Sequence, residues 1–206
     1  MDSIDVLPNV DIQPKGTISE RFLERDIKTF CAACSWVQNL PYGANSNSED
    51  SLILFEENCG TCTTKHGAIA RLAQELGLDV HKNLGFYRLN DETVTGVDAI
   101  IQPYGLSFIP QIHCFLTYDS FRIDLTQGNC NGKNKTIEDY DFVVRVVPDL
   151  TREQERQYYI SYLNRYFAIE PSLAAVDTST LLDLLDACNR QVKYQCSMMS
   201  SQPVAL

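Results

Sequence analysis

No run in this chain approaches the roughly 20 consecutive apolar residues that a membrane-spanning helix needs. The opening stretch, "MDSIDVLPNVDIQPKG", has acidic residues and no basic one ahead of its first proline, unlike the charged-then-apolar layout of a secretion signal. Basic side chains are scarce: 17 Lys and Arg against 27 Asp and Glu leave a net charge of -10, which argues against a nucleic-acid or anionic-membrane surface. Neither an internal repeat nor a low-complexity segment is present. These absences lead to the expectation of a cytoplasmic protein, in which the eight cysteines are thiols rather than disulfides. "NKT" at 134–136 matches a glycosylation sequon, but without a secretion signal it is taken as chance.

With 206 residues, 44% hydrophobic and 21% charged, the chain suits one domain, 1–206, with one buried core. In "TISERFLERDIKTFCAACSWVQNL", the residues Phe22, Leu23, Ile27, Phe30, Cys31, Cys34 and Val37 make one helical stripe, which Pro41 ends. "SLILF" and a glycine-marked turn lead into a second helix with the apolar face Ala68, Ile69, Leu72, Ala73 and Leu76. Gly77 suits its left-handed C-terminal cap. From "DVHKNLGFYRL" onward the pattern becomes strand-like in "VTGVDAI", "QIHCFLT", "FRIDLT" and "YDFVVRVVP", predicting antiparallel strands. "TREQERQYYISYLNRYF" opens with a capping-box spelling and carries Tyr159, Tyr162, Leu163, Tyr166 and Phe167 at helical spacing. "DTSTLLDLLDACNRQV" reads as a last helix, with a frayed tail from Cys196. Helices at both ends with strands between them predict an α+β domain: a core over 17–147 and a C-terminal helical segment over 151–195.

The chemistry concentrates in "ENCGTC", where Cys59 and Cys62 bracket Gly60 and Thr61 at a helix start. A redox dithiol has this local form, but a long helix precedes it and antiparallel runs follow, unlike a thioredoxin-type βαβ setting. A zinc site would need a second pair such as Cys31 and Cys34, which lie in an apolar helical stripe and read more simply as core thiols. Cys114, Cys188 and Cys196 read as buried hydrophobes too. Cys62 differs, because the positive end of a helix dipole favours the thiolate that attacks a carbonyl carbon.

That nucleophile needs a base, and there are only three histidines. His66 follows Cys62 by one turn with no orienting acid evident from the sequence, so it reads as a capping or packing residue. His81 could meet Asp91 only through a turn at Phe86. A two-residue turn at Tyr118 and Asp119, in contrast, sets His113 directly across a hairpin from Asp124. Alternation then gives Ile112, Cys114, Leu116, Phe121, Ile123 and Leu125 one apolar face, with His113, Phe115, Arg122 and Asp124 on the other, away from the core. A carboxylate on one imidazole nitrogen fixes the tautomer and leaves the other for a thiol proton.

Cys62 opening a helix, followed by His113 and Asp124 on consecutive strands, resembles the transglutaminase-like branch of the papain-like cysteine enzymes over about residues 20–145. "WVQNLPYG" is similar to a segment of many members, and "GTCTTKHGAIARLAQELGL" to the family's nucleophile helix. "IHCF" and "DLTQ" depart from the tryptophan beside the histidine and the "DPT" at the acid that many members carry. The resemblance implies an α+β core with the nucleophile helix packed on an antiparallel sheet, and acyl transfer or hydrolysis of an amide or ester through an acyl-thioenzyme. Its substrate would be a peptide, amine or small amide, with no cofactor, metal, nucleic acid or membrane called for. The oxyanion would be held by the Cys62 N–H and a further donor, assigned to the Asn58 side chain. The alternatives are a non-catalytic binding protein on the same fold and a CxxC redox or zinc protein.

Overall fold

In a computed structural model, the structure describes residues 3–127, 129–166 and 170–200. In chain order the elements are α1 (Thr17–Leu23), α2 (Phe30–Asn39), α3 (Ile53–Glu57), α4 (Cys62–Leu76), β1 (Val80–Leu89), α5 (Asp98–Ile101), β2 (Ile109–Tyr118), β3 (Phe121–Ile123), β4 (Phe142–Arg145), α6 (Arg152–Tyr166), α7 (Pro171–Ala174) and α8 (Thr178–Ser200). The class is α+β, with a four-stranded antiparallel sheet in the order β3-β2-β1-β4 and flanking helices. The chain divides into two compact units: Met1–Gly85 with His113–Asn129 and Val143–Thr151, and Phe86–Ile112 with Cys130–Phe142 and Arg152–Leu206.

The first unit is built on α4. Its buried face, Ala68, Ile69, Leu72 and Ala73, joins Phe22, Phe30, Cys34, Val37, Leu54, Phe55, Leu116, Ile123 and Leu125 in one core. Gly77 ends α4 in the left-handed region at φ 77°, the cap expected of it. Glycine is also demanded inside this helix. A Cβ on Gly67 would stand 2.9 Å from the backbone oxygen of Pro148, which accepts a 2.9 Å hydrogen bond from the buried Lys82 ammonium.

The single N-terminal helix expected from the apolar stripe is two helices. Asp26 takes a left-handed φ of 59°, and the Thr29 hydroxyl accepts from the Ala32 N–H to start α2 afresh. Glu75 of α4 fastens the first of them, its carboxylate accepting the N–H groups of Ile18 and Ser19 at 3.1 and 2.7 Å.

In the second unit, "VTGVDAI" is a turn and a short helix rather than a strand. Gly96 is left-handed at φ 91°, and Asp91 and Asp98 accept each other's backbone N–H at 2.6 and 3.0 Å. A strand could not make that reciprocal cap. Phe86 stacks on Tyr162 with ring centroids 4.3 Å apart, and the Tyr159 hydroxyl donates to Pro110 O at 2.9 Å. α8 continues to Ser200, past the point where the tail was expected to fray; Phe167 and the residues after Ser200 lie outside the described residues. Asn134 of the sequon-like triplet uses its amide within the fold, donating to Asp91 O and Thr95 Oγ1 at 3.1 and 3.0 Å. Among the described residues no helix is long and apolar enough to cross a membrane.

Candidate active site

Cys62 is the first residue of α4 and is half-buried. The turn that delivers it is fixed by polar ties on both sides. The Thr64 hydroxyl accepts from the Thr61 N–H at 3.0 Å and donates to Asn45 Oδ1 at 2.9 Å. The Asn45 amide in turn donates to Cys59 O at 2.9 Å and to the Glu57 carboxylate at 3.0 Å. Gly60 donates to Pro41 O at 3.1 Å and accepts from the Gly43 N–H at 3.2 Å, so the cysteine turn and the segment after α2 run side by side. A Cβ on Gly60 would stand 2.6 Å from Thr64 Oγ1 and 2.7 Å from Leu54 Cδ1, which explains the glycine between the two cysteines. The proposed oxyanion donor, Asn58, is an exposed residue at φ 50° that caps the end of α3.

Lys65, the next residue of α4 after Thr64, is 0% exposed and runs inward. Its ammonium donates to Leu40 O at 2.5 Å and Gln38 O at 3.3 Å, where it meets the carbonyl end of α2. Burial lowers its pKa to about 8, against the opposing pull of Asp124 and Cys59.

His113 donates from Nε2 to Asp124 Oδ2 at 2.8 Å. The pair is joined as expected, but by a different register. Leu116 pairs with Ile123, Thr117 with Arg122 and Tyr118 with Phe121, so the turn is Asp119-Ser120, with Asp119 left-handed at φ 52°. Continued, this register sets His113 opposite Thr126, and Asp124 reaches it on the diagonal, one residue after β3 ends. A slip of two residues preserves the face of every side chain, which is why the expectation of a shared face survives.

The expectation that this face points away from the core does not survive. His113 is 1% and Asp124 6% exposed, and Phe115 beside them is fully buried. The second carboxylate oxygen, Oδ1, accepts from the N–H and hydroxyl of Thr126 at 2.8 and 2.7 Å. Burial works against the Asp124 charge, yet His113, His66 and the Thr126 hydroxyl together hold its carboxyl well below the usual carboxylate range.

His66 does have an acid nearby, contrary to the sequence reading: Asp124 Oδ1 lies 3.5 Å from its Nε2. Its Nδ1 meets Cys62 O at 2.7 Å, and its Nε2 meets the Leu125 N–H at 2.8 Å. Its ring is 6.1 Å from that of His113, nearly perpendicular at 83°. Thus Cys62 and the His113–Asp124 pair both adjoin His66. His81 Nε2 meets the Asp79 carboxylate at the surface, at 2.5 Å, away from Asp91.

Among the remaining thiols, Cys34, Cys114, Cys188 and Cys196 are buried, whereas Cys31 is half-buried and bonds Leu7 O at 3.7 Å. Burial, with the charge on Glu57, raises the Cys59 pKa; its sulfur lies 3.9 Å from the Asn45 amide. Among the described residues no cluster of three or more His, Cys, Asp or Glu side chains could hold a metal ion. Asn45, Lys65 and Thr126 carry no sequence signal of their own: Asn45 and Lys65 bond partners 12 to 27 residues away that only the fold brings near, and Thr126 bonds the Asp124 carboxylate two residues back. Compared with family models, curated proteins and solved structures, the chain matches none.

Proposed function

We propose that the chain is a transglutaminase-like thiol enzyme on a papain-like core, with Cys62 as nucleophile, His113 as base and Asp124 as the residue that orients the base. The single observation that carries the reading is the 2.8 Å bond from His113 Nε2 to a fully hydrogen-bonded, ionised Asp124. A buried carboxylate on Nε2 assigns thiol chemistry to Nδ1 and stabilises the imidazolium that forms when the thiol proton arrives. Cys62 at the first turn of a fifteen-residue helix supplies the other half, a thiolate favoured by the helix dipole.

In the proposed reaction the Cys62 thiolate adds to an amide or ester carbonyl. The carbonyl electrons move to oxygen, and on collapse the C–N or C–O bond breaks as His113 protonates the leaving amine or alcohol. Water or an amine then attacks the thioester, with His113 taking its proton, and Cys62 leaves as thiolate. The substrate would be a peptide, amine or small amide, and the thiol chemistry suits a reducing compartment such as the cytoplasm.

The test is intact-mass spectrometry after brief exposure to p-nitrophenyl acetate. One acetyl group on Cys62 in the wild type, absent from Cys62→Ala, is the expected result. Acylation scattered over the thiols, unchanged in Cys62→Ala, would make the buried pair a structural one and the chain a binding protein.

A further inference from the structure

We infer that His66 is a positioning residue of the proposed thiol site, a neutral imidazole bridge that fixes the first turn of α4 against the backbone leaving Asp124. The inference rests on the proposed roles of Cys62, His113 and Asp124. Two hydrogen-bond partners settle the tautomer. A backbone N–H can only donate, so Nε2, 2.8 Å from the Leu125 nitrogen, must present its lone pair. A carbonyl oxygen can only accept, so Nδ1, 2.7 Å from Cys62 O, must carry the proton.

This arrangement spends both ring nitrogens. His66 therefore cannot take a proton from Cys62, although it lies one helical turn away, and it cannot duplicate His113. The groups facing it are Cys62 on its own helix and His113 and Asp124 from the hairpin. Burial is the larger influence among them and lowers its pKa to about 4, so the bridge stays neutral through the range in which a thiol enzyme works.

The bridge spans 59 positions of sequence, from α4 to the residue after Asp124. Its two bonds leave the rigid ring little freedom, so the Cys62 carbonyl and the Leu125 amide hold a fixed separation. Since Leu125 directly follows Asp124, the same separation sets the acid's backbone, and through Asp124 the plane of His113. A displacement of about 1 Å at such a site costs about 100-fold in rate, which makes the bridge part of the chemistry as well as of the core.

The experiment compares wild type, His66→Leu and His66→Gln by iodoacetamide labelling from pH 5 to 9, with the labelled residue located by mass spectrometry. Thermal melting is followed in parallel. Gln can place one donor and one acceptor where the ring has them; Leu can place neither. The expected result is that His66→Leu labels Cys62 about 10- to 100-fold more slowly below pH 7 and shifts its profile upward. His66→Gln should recover most of the rate. A folded His66→Leu protein with the wild-type profile overturns the inference.

Nitrogen-15 NMR of the wild-type histidines provides the independent arm. His66 protonated at Nδ1 and neutral at pH 6 is expected; an Nε2–H tautomer, or titration near pH 6.5, overturns the bridge. Wild type without selective Cys62 labelling would instead overturn the proposed function, and the positioning role with it, whatever the NMR shows.

Discussion

His113 and Asp124 meet at 2.8 Å across a hairpin whose register would pair His113 with Thr126. The diagonal matters because Thr126 then turns back and binds the other carboxylate oxygen with both its N–H and its hydroxyl. Asp124 is held from two directions, and its charge is confined to one geometry. Removing the whole side chain by Asp124→Ala leaves the buried His113 and Thr126 donors without their acceptor, and should destabilise the protein by about 3 kcal/mol in urea unfolding.

Asp124→Asn separates charge from geometry. The amide oxygen can still accept hydrogen bonds, whereas the negative charge that favours the His113 imidazolium is gone. The fold should persist, and the alkylation profile of Cys62 should move up by about 1 to 3 pH units, measured with iodoacetamide at low salt. An unmoved profile would mean that the carboxylate charge does not act on the thiol.

His66 makes stability depend on acid. Its pKa is lowered to about 4 in the fold against an ordinary value of 6.5, so between those values the unfolded chain binds more protons than the native one. Stability therefore falls as pH drops from 6.5 to 4, at a limiting slope of about 1.4 kcal/mol per pH unit from this group. Asp124 adds a further loss below the ordinary carboxylate range, because its pKa is lowered in the native state. Urea titrations at pH 7, 5.5 and 4.5 should show the decline, and His66→Gln should flatten it.

Lys65 works at the alkaline end with the same sign. Its pKa of about 8 lies below the ordinary 10.5, so the native state releases its proton first, and stability contributed at this site rises from pH 8 to 10.5. Lys65→Met removes that rise. The difference in unfolding free energy between the two proteins, measured at pH 7.5 and 9.5, should move in favour of the wild type at the higher pH.

Gly67 sets helix propensity against packing. Alanine in a helix interior is worth about 1 kcal/mol over glycine. Here its Cβ would press on the Pro148 carbonyl at 2.9 Å, and a backbone atom bonded to Lys82 cannot step aside as a side-chain end could. Gly67→Ala should be net destabilising by about 1 to 3 kcal/mol in urea.

The legible parts of the chain were those in which one periodicity or one spacing decides the outcome. The apolar stripe and Gly77 define α4, and because the register differs from the expected one by an even number of residues, His113 and Asp124 stay on one face although the turn is shifted. What the sequence hid depends on single backbone conformations or on distant partners. A left-handed Asp26 cuts the first helical stripe in two, and a left-handed Gly96 turns an apolar run away from the sheet. Burial of the His113 face also escaped, because alternation alone cannot tell a sheet covered on both faces from one open to water. His66 illustrates the same limit at the site: its acid lies 58 residues away in sequence and 3.5 Å away in space.

Whether Cys62 is an activated thiol served by His113 is read from the pH dependence of iodoacetamide labelling. Labels are located by mass spectrometry on wild type and His113→Ala. An activated Cys62 gives labelling confined to that residue among the eight thiols, persisting well below pH 7 in the wild type and lost in the variant. Slow labelling spread over the accessible thiols, indifferent to His113, would contradict it.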